Sequence, residues 1–253
     1  MSRISQLFSK RSEKVIPFLT AGYPNKLATV NMVLAAEKAG ASMVELGMPF
    51  SDPLADGPVI QKASQVAIEN GVNIKWILEA VKEIRKSSEI PLVLMGYINP
   101  IIKYGLAKFM KDCQMVGVDG LIIPDLPPEE AEGFVQLAKE NKISPILLVA
   151  PNTSSERIKI ISELAGDLIY CVAILGITGS GNEMGNLEAY LVRVEENSRC
   201  PFIVGFGIKT REDVVEINKF SHGAVVGSAI IDAMDGSTSS VDTVKNYIER
   251  LVE

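Results

Sequence analysis

Apolar residues are arranged along this chain in two alternating patterns. Short continuous apolar runs occupy residues 15–19, 43–46, 91–95, 120–123, 145–149, 168–174, 202–205 and 224–227. They lack the in–out alternation of a half-exposed strand, so they read as strands buried on both faces, as in a parallel sheet covered by helices. Between them lie stretches with helical spacing: 27–39, 59–69, 74–86, 104–115, 129–141, a helix capped by Ser154 or Ser155 that runs to Leu164, then 187–197, a helix from the Thr210 cap to Phe220, and 241–251. Gly40 ends the first of these, and Ser and Thr are favoured helix N-caps. At the N-terminus Ile4, Leu7 and Phe8 share one face of a short helix suited to cover one end of the core. Eight βα units in about 250 residues predict an α/β fold, a (β/α)8 TIM barrel forming a single domain over 1–253, with an extra N-terminal helix and additional helices in the loops. A doubly wound sheet is the alternative, but no GxGxxG turn follows the first strand.

Composition narrows the partners and the chemistry. The 253 residues are 47% hydrophobic with a formal charge of −6, which opposes a basic nucleic-acid surface. No run is long enough to span a membrane and residues 1–14 lack an apolar signal core, so the expected location is cytoplasmic. Cys113, Cys171 and Cys200 are far apart and form no CxxC pair, as expected of reduced thiols. The one histidine, His222, precedes the eighth strand, at the end of the barrel away from the expected site. That placement argues against multi-histidine metal binding and against a Ser-His-Asp triad. Lys209 alone approaches a strand end, two residues past a glycine turn, which gives little support to Schiff-base chemistry.

In a barrel of this kind the active site sits at the C-terminal ends of the strands. Glu45 is embedded in the second apolar strand, where an ionised group is costly unless paired, so it is a functional candidate. Asp52 and Asp56 follow on a Pro/Gly-rich loop long enough to act as a lid; taken singly, each also fits an ordinary solvated turn residue. Gly205-Phe206-Gly207 and Gly227-Ser228 place glycine at the ends of strands seven and eight, the usual phosphate site of the fold, and two such turns favour an anion over ligand-free tight turns. The glycine-rich stretch 175–182, with Thr178, reads as a flap or as a plain surface loop. Phe18, Tyr97 and Tyr170 lie near strand ends and suit a flat apolar ligand, although any one alone fits a core role. Together these residues point to carboxylate-driven acid–base chemistry on a phosphorylated substrate with an apolar part.

The motifs also resemble a known family. Residues 45–61 (ELGMPFSDPLADGPVIQ), 17–24 (PFLTAGYP), 94–100 (LMGYINP) and 120–130 (GLIIPDLPPEE) are similar to the tryptophan synthase alpha chain, joined by 176–179, 204–208 and 226–229. The resemblance covers the whole chain in order. It implies a lyase for a retro-aldol cleavage of indole-3-glycerol phosphate to indole and glyceraldehyde 3-phosphate. By position it implies Glu45 as general acid/base, Asp56 at the indole N–H and Tyr170 near both. It further implies Phe18, Ile60, Leu94 and Tyr97 around the indole, Gly179, Phe206, Gly207, Gly227 and Ser228 at the phosphate end, and Thr178 bonding Asp56 on closure. It implies no cofactor and no metal in this chain, a beta chain carrying pyridoxal phosphate as partner in an α2β2 heterotetramer, and Pro49, Asp52 and Asn99 facing that partner. The chain departs from the family pattern at 173–175 and 180–185, which bears on flap closure and coupling rather than on the reaction. Alternative functions are a sugar-phosphate isomerase or epimerase, and a catalytically weakened barrel acting mainly as allosteric activator of the beta chain.

Overall fold

Eight short strands, each hydrogen-bonded in parallel to the next in chain order, close on themselves: β1 (Val15–Thr20), β2 (Val44–Gly47), β3 (Leu92–Met95), β4 (Gly120–Ile122), β5 (Ser144–Val149), β6 (Ile169–Val172), β7 (Phe202–Gly205) and β8 (Ala224–Val226). The ring shuts where β8 pairs with β1 in the register Ile16–Val225 and Pro17–Val226. The computed structural model describes residues 1–173, 183–205 and 207–253, without the side chains of 183–185. Buried continuous runs make these strands because each is covered by helices outside and packed side chains inside, as all six buried residues of β1 illustrate.

The surrounding helices are α1 (Arg3–Leu7), α2 (Ala28–Lys38), α3 (Pro58–Glu69), α4 (Ile74–Ile84), α5 (Ile98–Tyr104), α6 (Leu106–Val116), α7 (Glu132–Glu140), α8 (Ser155–Ala165), α9 (Glu183–Asn197), α10 (Arg211–Phe220), α11 (Ser228–Met234) and α12 (Ser240–Val252). Ser154 caps α8, and Thr210 with Asp213 forms a reciprocal capping box on α10. Three expectations are corrected. Residues 104–115 hold not one helix but the junction of α5 and α6, because Gly105 turns the chain with φ +98° and Pro100 is tolerated in the first turn of α5. The helix expected from residue 129 begins at Glu132, since Pro127 and Pro128 accept turn bonds from Glu130 N–H and Ala131 N–H. Between β8 and the closing helix lies α11, whose Ala229, Ile230, Ile231 and Met234 are all buried.

The floor of the barrel, at the N-terminal ends of the strands, is sealed in two ways. The fully buried Ile4 of α1 fills the space over Gly120, where a Cβ would lie 2.9 Å from Ile4 Cδ1 and 3.1 Å from Ile146 Cδ1. Beside it runs a polar network. Arg85 donates to Gly117 O (2.9 Å), Ile90 O (2.8 Å) and Asp119 Oδ2 (2.6 Å). Asp119 also accepts from Leu92 N–H (2.8 Å) and from Arg3 (3.0 Å), tying α1 to the starts of β3 and β4. The Arg85 and Asp119 side chains are only 10% and 5% exposed, so removing one strands the other in a poorly hydrated site. Asp119→Ala is therefore expected to lower the unfolding free energy by about 3–5 kcal/mol, measured by urea denaturation; a change under about 1 kcal/mol, the scale of an exposed pair, would refute this role.

Candidate active site

The inner surface of the barrel follows from the register. Glu45 pairs with Phe18 on one side and Val93 on the other, and Gly47 pairs with Met95, so 45, 47, 93 and 95 share the inward side. Glycine on that side makes room for rings. A Cβ on Gly47 would stand 2.4 Å from Phe18 Cζ, one on Gly205 would stand 1.7 Å from the Tyr170 hydroxyl oxygen, and one on Gly227 would stand 3.3 Å from Phe18 Cβ. The Phe18 and Tyr170 rings thus occupy volume that ordinary residues at these positions would fill.

At the mouth lies a cavity walled by Phe18, Ile60, Met95, Ile208 and Val225, with Asp56, Tyr170 and Ser228 as its side-chain polar groups and residues 57–59, Gly207 and Gly227 completing the rim. Phe18, Ile60, Asp56, Tyr170, Gly207, Gly227 and Ser228 are brought together as the sequence suggested. Leu94 is not: the odd-numbered positions of β3 face inward, so Leu94 packs under the helices in register with Leu46 and Leu121, and Met95 lines the cavity instead. Tyr97 is corrected in a different sense. It is not part of the cavity wall but clamps the loop above it, accepting from Ala55 N–H (3.0 Å) and packing at 5.2 Å on Phe50. Thr178, Gly179 and Phe206, with the stretch 175–182, lie outside the described residues. Met95 and Val225 were missed, although strand parity counted from Glu45 and from Gly227 identifies both.

Glu45 occupies a different layer from the cavity. Its side chain is fully buried, both carboxyl oxygens have no hydrogen-bond partner among the described residues, and it does not line the cavity. Burial alone raises its pKa from 4.5 to about 8, so it holds a proton at neutral pH. Tyr170, which does line the cavity, is kept protonated chiefly by burial. Asp56, half-buried on the loop, has its pKa raised by burial, which outweighs the opposing influence of the Tyr97 hydroxyl. The loop is also pinned by Gln61, which donates to Asp56 O at 2.9 Å. Asp52 by contrast is exposed and accepts from Ser51 at 2.5 Å, away from the cavity lining.

The glycine turns end β7 and lead out of β8 directly into α11, whose first residue is Ser228. The first N–H groups of a helix have no intrahelical acceptor and carry the positive end of its dipole, so this side of the cavity suits an anion. His222 lies at the opposite end of the barrel: its N–H donates to Phe202 O (2.9 Å), its Nδ1 accepts from Phe202 N–H (3.4 Å), and burial lowers its pKa.

The family model described as "Tryptophan synthase alpha chain" matches residues 4–252. A tryptophan synthase alpha chain of Petrotoga mobilis is 44% identical over 254 residues, covering 100% of this chain and 98% of its own. One from Prosthecochloris aestuarii is 43% identical, covering 94% and 93%. Among solved structures, tryptophan synthase subunit alpha from Legionella pneumophila superposes with a TM-score of 0.92 at 33% identity, covering 99% of this chain and 97% of that one. The tryptophan synthase complex from Pyrococcus furiosus superposes with a TM-score of 0.88 at 36% identity, covering 96% and 98%.

The folded state holds the Glu45 proton up to about pH 8, whereas an ordinary glutamate releases it near 4.5. Wild-type stability should therefore fall as pH rises through that interval, by an amount on the order of a few kcal/mol at about 1.4 kcal/mol per pKa unit. Glu45→Gln should remove most of that slope. Parallel pH–stability curves for the two proteins, obtained by denaturant unfolding between pH 5 and 9, would contradict a buried neutral carboxyl.

Proposed function

The chain belongs to the tryptophan synthase alpha chain family, the lyase that cleaves indole-3-glycerol phosphate to indole and D-glyceraldehyde 3-phosphate, and we propose that its mouth cavity performs that cleavage with Glu45 and Asp56 as the working acids. The observation that carries the assignment is the placement of the two acids: Glu45, fully buried and held neutral by burial, and Asp56, half-buried on the cavity lining. A buried proton donor and a cavity-lining carboxyl are what a reaction needing both a proton donor and a charge stabiliser requires.

The indole ring lies against Phe18, Ile60, Met95 and Val225, with its N–H donated to Asp56 and the phosphate on the Gly207, Gly227 and Ser228 side. Glu45 swings up from its layer and gives its proton to indole C3, which becomes tetrahedral. Positive charge then grows on the ring nitrogen and is stabilised by the Asp56 carboxylate. The Glu45 carboxylate next takes the proton of the glycerol hydroxyl adjoining the ring. As the C=O of the aldehyde forms, the carbon–carbon bond breaks and its electron pair restores the aromatic ring. Glu45 ends reprotonated, so one mobile group serves as acid and then base. Tyr170, on the cavity lining, orients the substrate.

The same reading makes the whole chain one domain, working without a cofactor of its own in the cytoplasm. Among the described residues no helix is long and apolar enough to cross a membrane. The Pyrococcus furiosus structures are of a tryptophan synthase complex, one described as an a2b2 complex with mutual activation. The corresponding beta chain, carrying the pyridoxal phosphate, would receive indole here and face Pro49, Asp52 and Asn99. A second reading, that the barrel serves mainly to activate the beta chain, draws on the resting position of Glu45 out of the cavity.

Glu45→Gln is expected to lower indole release by about 10³-fold or more, and Asp56→Asn by about 10²–10³-fold, both in folded protein. Indole formation from indole-3-glycerol phosphate checks this, and near-wild-type turnover by either variant would overturn the assignment. Measured with and without the beta chain, the wild-type rate separates the two readings: indole released by the chain alone marks a working lyase, and release only in the complex marks a barrel dependent on its partner.

A further inference from the structure

We propose that Asp125 is a positioning residue for Asp56, acting through Tyr97. The inference rests on the reading of Asp56 given above and adds a residue that touches neither the cavity nor Asp56. Asp125 lies just past β4, on a turn stiffened by Pro124, Pro127 and Pro128 and closed by Leu126 N–H donating to Ile123 O at 3.2 Å. Both of its carboxylate oxygens accept from the Ile98 N–H, at 3.0 and 3.3 Å. Ile98 is the first residue of α5, and Tyr97 is its N-cap residue.

A helix start needs an acceptor for its free N–H groups, commonly the side chain of the N-cap residue itself. Tyr97 makes no such bond; its hydroxyl is committed to the lid loop, accepting from the N–H of Ala55, the residue just before Asp56. The acceptor comes instead from the β4 turn, 27 residues further along the chain. Fixing the Ile98 N–H fixes the peptide unit from which the Tyr97 ring projects, and Phe50 packs on that ring at 5.2 Å. The chain of contacts therefore runs from a rigid proline turn, through one backbone amide, to the phenol that holds the loop at Ala55, next to Asp56. Asp125 is also among the charges that favour the protonated, donating form of Tyr97.

The test is a double-mutant cycle on indole release by the full chain, using Asp125→Ala, Tyr97→Phe and the pair. Asp125→Ala should lower kcat/KM by about 10- to 100-fold, the scale of an ångström-level misplacement. In the Tyr97→Phe background the same change should add less than about twofold, the limit of independent behaviour. Asp125→Ser, whose shorter side chain falls short of Ile98 while keeping a polar surface, should repeat the result if the alanine variant folds poorly. Equal factors with and without the Tyr97 hydroxyl, or wild-type activity in folded Asp125→Ala or Asp125→Ser, would overturn the proposal. Asp56→Asn in the same assay keeps the two readings apart. If it is impaired while the cycle is additive, only the positioning role fails; if it is fully active, the reading of the site itself fails.

Discussion

A carboxyl group without a partner, enclosed in the middle of a closed barrel, sets the terms for the architecture around it. Glu45 is held protonated at neutral pH where it rests, because nothing among the described residues bonds either oxygen and burial drives its pKa to about 8. A group of that kind opposes folding progressively as pH rises, so other interactions must hold the barrel shut. The floor supplies them: Ile4 fills the gap over Gly120, and Arg85, Asp119 and Arg3 cross-tie α1, β3 and β4 with well-partnered hydrogen bonds. Stability is concentrated at one end and the strained chemistry toward the other, the usual division of labour in this fold.

The open end is made by removing side chains rather than by adding loops. Gly47, Gly205 and Gly227 each lie where a Cβ would strike a ring or crowd it, so Phe18 and Tyr170 can lie flat across the barrel mouth. Those rings line the cavity together with Ile60, Met95, Ile208 and Val225. The glycines at 205 and 227 therefore do more than bring backbone amides toward an anion; they set the positions of the two aromatic residues. Geometry at the apolar end and at the anion-binding end of the cavity is coupled through the same residues.

Much of this was legible in the sequence because it depends on runs and punctuation. Continuous apolar stretches marked all eight strands, and Thr210 and Ser154 marked helix starts, since both signals are local. What escaped depended on parity or on distant packing. Leu94 and Met95 are equally apolar, and only the inward side shared with Glu45 selects Met95. Gly105 divides α5 from α6 by its positive φ, which apolar spacing does not register. The helix α11 follows β8 without a composition change, so its first residues read as strand end and loop. Tyr97 was expected against the ligand, but it lies off the cavity lining, and its bond to Ala55 arises from a fold of the lid loop that no periodicity encodes.

The two acids differ in how they are held, and the difference suits what each does. Asp56 is on a loop, yet Gln61 donates to its backbone carbonyl and Tyr97 accepts from the neighbouring Ala55 N–H, which together restrain it. Glu45 is on a strand, yet among the described residues nothing bonds its carboxyl, which can change rotamer without breaking a hydrogen bond to them. Charge stabilisation needs a fixed carboxylate, because preorganisation is the source of its effect. Proton transfer to a carbon and then from an oxygen needs a group that moves between two positions with little loss at either. An unsatisfied buried acid meets that need: leaving its resting place forfeits no partner, and entering the cavity beside a polar substrate gains one. The penalty paid in stability at rest thus lowers the barrier to the motion that chemistry requires.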